Sequence, residues 1–283
     1  MTLAVFMAAA TSALLHAYWN LLAKKNIAPR DSLCGLTLAA AAICALAFPF
    51  LGAPAPQTWP WIGMASVANV IYLRTLGRVY EFPAFAVVYG IIRSIVPATL
   101  FLSGWLVFGE TERLSAFIGL AIVIGSILIF LIPRDQSHDI DLKTLAYSLF
   151  AGLLLALALL LDVKGIRAGG GGIVDLLRYA AASSLTTAAG LIFLGFVSQP
   201  NPVAVLVANG RQSFLGAILM IVSYLFGMWA YSRGPIGLVA PVRECSILFG
   251  GVLSVTVLRQ YVTRVQWLAM ALATIGIVLV QTG

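Results

Sequence analysis

Arg93 lies in FAVVYGIIRSIVPATLF and Arg243 in IGLVAPVRECSILFGGV, two apolar runs 150 residues apart. A guanidinium keeps its charge at any pH a protein meets and presents a planar fork of donors that fits a carboxylate. Near the centre of a lipid-embedded helix it costs roughly 2.5 kcal/mol or more, so it faces a charged partner or a wet cavity. Glu244 follows Arg243 directly and is the one carboxylate near the middle of an apolar run; the other nine acids fall at run ends or in loops. Arg243 and Ser246 share a helix face, and Glu244 points about 100° away. Two roles are open to Glu244. It can form a structural ion pair with Arg243 or Arg93, or it can accept a proton or a solute ammonium while the arginines hold an anionic group.

Further polar residues cluster at helical spacing. His16, Trp19 and Asn20 stand at i, i+3 and i+4, with Ser12 one turn earlier, so they form one stripe. A single membrane histidine often serves an interhelical hydrogen bond. With an amide and an indole beside it, cavity lining is the expected role, and His16 suits a proton relay near neutral pH. Tyr89, Arg93 and Pro97 share a face, where Pro97 removes a backbone donor and frees a carbonyl. Asp162 and Lys164 close the sixth run and are expected as interfacial anchors; Arg178 is expected to reach the headgroups. Trp229 and Tyr231 fit an aromatic belt or a cavity wall. Cys34, Cys44 and Cys245 show neither disulfide nor metal-ligand spacing. HExxH, GxSxG, Walker A and CxxC patterns are absent, so the expectation is no metal, no cofactor and no enzymatic chemistry.

The elements that must position these residues are transmembrane helices. The chain has 283 residues, 61% hydrophobic and 10% charged, and its apolar runs near 20 residues lack the alternation of barrel strands. Ten spans are predicted, over 2–23, 32–51, 59–79, 82–107, 114–132, 142–163, 173–197, 212–232, 235–258 and 265–282. The first lacks a basic n-region and reads as a retained span, not a cleaved signal. The net charge of +7 sits mostly between runs, where it fixes topology, and gives no nucleic-acid footprint. Loops after odd spans carry ten Lys/Arg and the others four, which puts odd loops in the cytoplasm and both termini outside. GGGG at 169–172 lacks the Lys-Ser/Thr of a phosphate loop and reads as a turn.

The polar linker 134–141 divides five spans from five, giving repeats over 1–133 and 142–283. Phe85–Phe130 aligns with Pro235–Val280 at an offset of 150, matching Arg93 to Arg243 and Glu110 to Gln260; Tyr72 matches Tyr224 at 152. An odd number of spans per half makes the repeat inverted, with a solute site near its pseudo-two-fold axis, the pattern of a transporter. Glu244 beside Arg243, against Ser94 beside Arg93, suggests that Arg243 is neutralised within its own half and Arg93 is freer to meet a solute.

LLHAYWNLLAKK, AVVYGIIRSIVP followed by FGE, and YSRGPIGLVAPVRECSILFGG, in that order, resemble the ten-span EamA-type members of the drug/metabolite transporter superfamily, and the similarity runs over nearly the whole length. Where that family often has a second Gly-Glu after span 9, this chain has Arg259-Gln260. The resemblance implies an all-α membrane protein, a basket in which spans 1, 3, 4, 6, 8 and 9 surround a cavity and spans 5 and 10 pack outside. It implies secondary transport, export or exchange, of small solutes. His16, Trp19, Asn20, Tyr72, Tyr89, Arg93, Tyr224 and Arg243 become the expected substrate-binding residues, with Glu244 and His16 for proton coupling or ion pairing. The arginines favour a carboxylate, and Glu244 with the aromatics favours an ammonium, so the expected solute is an amino acid or similar zwitterionic or anionic metabolite. The expected partners are that solute, protons or a counter-solute and the lipid of a cell (inner) membrane, for a chain acting as a monomer. The alternatives are a multidrug exporter of lipophilic compounds and, from another class, a membrane enzyme or receptor.

Overall fold

The computed structural model describes residues 2–25, 29–82, 85–108, 114–130, 141–195, 210–234, 236–244 and 246–282. Among these residues all regular structure is helical. Runs this apolar have no water to satisfy their backbone, and a helix satisfies it within the segment. The first half gives α1 (Leu3–Lys25), α2 (Pro29–Leu51), α3 (Trp59–Val79), α4 (Phe85–Phe108) and α5 (Leu114–Phe130). The second gives α6 (Leu142–Ala168), α7 (Ile173–Gly195), α8 (Gly210–Arg233), α9 (Ile236–Glu244), α10 (Ser246–Thr256) and α11 (Arg264–Thr282). The ninth predicted span corresponds to α9 and α10, on either side of Cys245, which lies outside the described residues. Glu110 and the linker 134–140 lie outside them too. α1, α2, α6, α7 and α8 contain windows long and apolar enough to cross a bilayer. Pro97 does not end α4, which stays helical to Phe108.

Apolar side chains face outward as well as inward. Phe50, Phe193, Leu46 and Leu153 are exposed, a surface that water would penalise and hydrocarbon accepts. Inside, α3 packs on α6 and α1 on α8; α4 packs on α6, and α1 on α9 and α10. α3 also meets α7 as α2 meets α8, while α2 pairs with α7, α4 with α9 and α10, and α5 with α11. Trp19, Leu76, Tyr80, Ile92, Leu159, Tyr179, Met228 and Tyr231 belong to the shared core.

Helix ends are held by basic side chains from neighbouring helices, which satisfy last-turn carbonyls and oppose the negative end of the helix dipole. Lys24 of α1 donates to the carbonyls of Tyr80 and Phe82, just beyond α3. Arg167 of α6 donates to those of Tyr231 and Gly234 at the end of α8, at 3.0 and 3.3 Å. Arg74 reaches Leu194 O at the end of α7 (2.7 Å), and Arg178 reaches Leu51 O at the end of α2 (2.7 Å), so Arg178 caps a helix. Asp141 caps the start of α6, accepting from Thr144 N at 2.9 Å. Between α6 and α7 the glycine run makes a tight turn, with Gly170 at φ 107° and Gly171 at φ 72°, a backbone region that side chains with a Cβ avoid.

Candidate functional site

A cavity of about 160 Å³ lies among α1, α2, α3, α6, α7, α8 and α9. Its apolar wall includes Trp19, Leu73, Leu155, Leu159, Met220 and Met228. Its polar wall is formed by His16, Thr37, Asn69, Tyr72, Asp162, Ser183, Ser184, Thr187, Tyr224 and Arg243. The helix set differs from that implied by the family resemblance. α2 and α7 contribute lining residues, and among the described residues α4 contributes none. The hydroxyl-bearing faces of α2 and α7 supply what α4 does not, because α4 turns Arg93 toward α9.

Arg243 enters the cavity wall from the end of α9 and is anchored where α1 crosses α8. There Ser12 Oγ donates to Ser223 O at 2.7 Å, and Ser223 Oγ donates back to Ser12 O at 2.9 Å. Arg243 Nε donates to Ser12 Oγ at 3.2 Å, and its guanidinium lies 5.9 Å from the centre of the Tyr231 ring. Gly227 makes the approach possible, since a Cβ there would stand 2.8 Å from Ser12 Oγ and 3.0 Å from Arg243 Nε. The charge is thus held in position by one hydroxyl and one ring face. Among the described residues no carboxylate comes within 4 Å of it.

Arg93 has a different environment. Its Nη1 donates to both carboxylate oxygens of Glu244, at 3.0 and 2.9 Å, with the side chains 2% and 0% exposed. Its guanidinium also lies 5.6 Å from the centre of the Tyr89 ring. Of the two partners open to Glu244, the structure selects the one in the other half of the chain. The asymmetry expected from the sequence is therefore reversed. Arg93 is neutralised, and Arg243 is the arginine that meets the cavity. The physical reason is helical geometry, because neighbours at i and i+1 do not face each other.

On α1, His16 and Trp19 line the cavity with their rings edge to face, centroids 4.9 Å apart. His16 is 5% exposed, and its Nε2 has no hydrogen-bond partner. Asn20 does not line the cavity. Its amide donates to His16 O at 2.7 Å, and its Oδ1 accepts from the Tyr80 hydroxyl. Tyr72 and Tyr224, matched in the sequence at an offset of 152, both line the cavity. Tyr89, Arg93 and Glu244 are buried outside its lining.

One residue read as an anchor belongs to the site. Asp162 is 3% exposed, lines the cavity, and accepts from the Tyr179 hydroxyl at 3.1 Å. The predicted sixth span stopped at 163, which put Asp162 at a boundary. α6 continues to Ala168, so Asp162 sits within the helix and beside the core. The available signal was the apolar-to-GGGG spacing, which leaves room for another turn and a half of helix after Asp162.

Helices with an apolar exterior, and a cavity walled by charged and hydroxyl groups, define a multi-pass membrane protein. Residues 173–282 match the EamA-like transporter family, a match in keeping with the drug/metabolite transporter superfamily. A family of this kind points to a membrane transporter and not to an enzyme. The fold is similar to that of a solved structure described only as the crystal structure of a protein. The two share a TM-score of 0.66 and 18% sequence identity, with 97% of each chain covered. No curated protein matches the chain.

Proposed function

We propose that this protein is a secondary active transporter that exports or exchanges small zwitterionic or anionic metabolites, amino acids foremost, by alternating access. The observation that carries the reading is Arg243, a buried guanidinium in the cavity wall with, among the described residues, no carboxylate within 4 Å. A buried charge is stable only with a partner, and an incoming carboxylate is a partner of matching geometry. His16, Trp19, Tyr72 and Tyr224 surround the solute in this reading. Asn20, Tyr89, Arg93 and Glu244 form a layer behind it. The Arg93–Glu244 pair joins the two halves of the chain, so its breaking and remaking is the step that exposes the cavity to alternate sides. Glu244 and His16 are the groups able to take a proton in that cycle.

The architecture of this reading is ten spans, with α9 and α10 as one, in inverted repeats over 1–133 and 142–283. The helix pairings support it. Exchanging α1 with α6, α2 with α7, α3 with α8, α4 with α9/α10 and α5 with α11 turns α3–α6 into α8–α1 and α3–α7 into α8–α2. The end caps follow the same exchange, as Lys24 on α1 holds the end of α3 and Arg167 on α6 holds the end of α8. The location is the cell (inner) membrane, with both termini outside by the Lys/Arg distribution.

Uptake of labelled amino acids and short carboxylates by proteoliposomes, with and without a pH gradient, tests the function. Wild type is expected to move at least one of these solutes, and Arg243→Ala to abolish that movement. The reading fails if none moves, or if folded Arg243→Ala transports as wild type does. A second reading, permissive export of lipophilic drugs, is favoured by the apolar wall of Trp19, Leu73, Leu155, Leu159 and the two methionines. It predicts movement of lipophilic cations that survives both Arg93→Ala and Arg243→Ala.

A further inference from the structure

We infer that Asp162 is the group that receives the solute's ammonium, so that Asp162 and Arg243 form a two-ended receptor for a zwitterion. The inference rests on the transport reading above. Both side chains line one cavity, from α6 and α9, and both are buried, at 3% and 5% exposure. Among the described residues neither has an ion-pair partner within 4 Å, so they stand in one cavity without a direct contact between them. The other buried pair of opposite charges in the core is in direct contact, through Arg93 Nη1 and Glu244. One base and one acid held apart in a single buried cavity are costly alone. A solute carrying both signs relieves both at once, whereas a singly charged solute relieves one.

The local structure fits an acceptor of cations. The Tyr179 hydroxyl donates to Oδ1 of Asp162, which fixes the carboxylate against α7 and leaves acceptor capacity for a solute N–H. Trp19, Tyr72 and Tyr224 line the same cavity, and aromatic faces add to ammonium binding. His16, whose Nε2 has no partner, gives the wall a further unspent polar atom. Glu244 does not play this part in the arrangement seen here, because it lies outside the cavity lining and is paired with Arg93.

The test uses wild-type protein and Asp162→Asn in proteoliposomes, with a labelled neutral amino acid that wild type transports as the reporter. Its decarboxylated amine and its deaminated acid serve as inhibitors. Wild type is expected to be inhibited by both, and the two together to bind without excluding each other. Asp162→Asn is expected to weaken the amino acid and the amine by about thirtyfold or more, the scale of losing one buried charged partner, and to leave inhibition by the acid unchanged. Inhibition of wild type by either half-molecule needs no variant, so misfolding of Asp162→Asn does not shield the idea. The receptor assignment is overturned if the amine inhibits Asp162→Asn as it does wild type. It is overturned too if folded Asp162→Asn loses amine and acid alike, or if only the dependence on the pH gradient changes. If wild type moves carboxylates but no zwitterion, the receptor assignment is overturned as well; if it moves neither amino acids nor carboxylates, the transport reading itself fails, a result distinct from these.

Discussion

Replacing Glu244 by Met leaves Arg93 in a site where its side chain is 2% exposed, with no second carboxylate within 4 Å among the described residues. A guanidinium has no means of shedding its charge, so the cost is that of an uncompensated buried cation, about 3–5 kcal/mol. Arg93→Met removes the other partner and leaves a carboxyl group, which has the option of binding a proton, so its cost is expected to be smaller. The double variant exchanges both charges for apolar side chains of similar volume and is expected close to wild type. For a domain of this size each kcal/mol corresponds to about 2–4 °C, so Glu244→Met should lower the melting temperature by about 6–20 °C, and the double variant should recover most of it. Thermal unfolding of the purified protein in detergent, followed by the loss of the monodisperse peak, measures all four corners of the cycle. Equal melting of Glu244→Met and wild type, or costs that simply add in the double variant, would refute the claim that this pair is a coupled, desolvated unit. A double variant that is stable yet inactive would assign the pair its part in the transport cycle.

Three further outcomes follow from particular contacts. A Cβ at Gly276 would stand 2.7 Å from Gly119 O and 2.9 Å from Val123 N, both backbone, so Gly276→Ala must push α5 and α11 apart. It should cost about 1–3 kcal/mol of thermal stability, whereas Gly125→Ala, which meets nothing within 4 Å, should cost none. Gly227→Ala should displace Arg243 from Ser12 and raise the KM for the transported solute more than it lowers the melting temperature. Lys24→Met and Arg167→Met should destabilise by comparable amounts, about 1–3 kcal/mol, because each removes the donor for two carbonyls at a helix end.

The sequence made the membrane class and the helical elements legible because both depend on composition and run length, which need no knowledge of neighbours. The arginines stood out for the same reason, since a charge in an apolar run is conspicuous whatever it touches. What lines the cavity was less legible, for two physical reasons. The first is that serine and threonine in membrane helices can satisfy themselves on their own backbone. Thr75 donates to Ile71 O and Thr186 to Ala182 O, and nothing in the sequence separates such residues from Ser183, Ser184 and Thr187, which line the cavity. The second is the uncertainty of a helix end, which decided whether Asp162 counted as rim or interior. Five residues of α6 beyond the predicted boundary moved a carboxylate from the headgroups to the cavity wall.

The pairing of Glu244 shows where sequence symmetry misleads. Arg93 and Arg243 match at the sequence offset of 150, yet only Arg93 is paired with Glu244, so the two matched positions differ in their surroundings. Adjacency in sequence suggested that Glu244 would neutralise Arg243. The turn of about 100° per residue instead points adjacent side chains in different directions, and Glu244 crosses to α4. Two corresponding positions thereby acquire different chemistry. Arg93 becomes a link between the halves of the chain, and Arg243 remains charged at the cavity, anchored by Ser12 and opposed by no acid of its own. A symmetric pair of free arginines would favour a dianion. One free arginine, in a cavity that also holds Asp162, favours a solute with one charge of each sign.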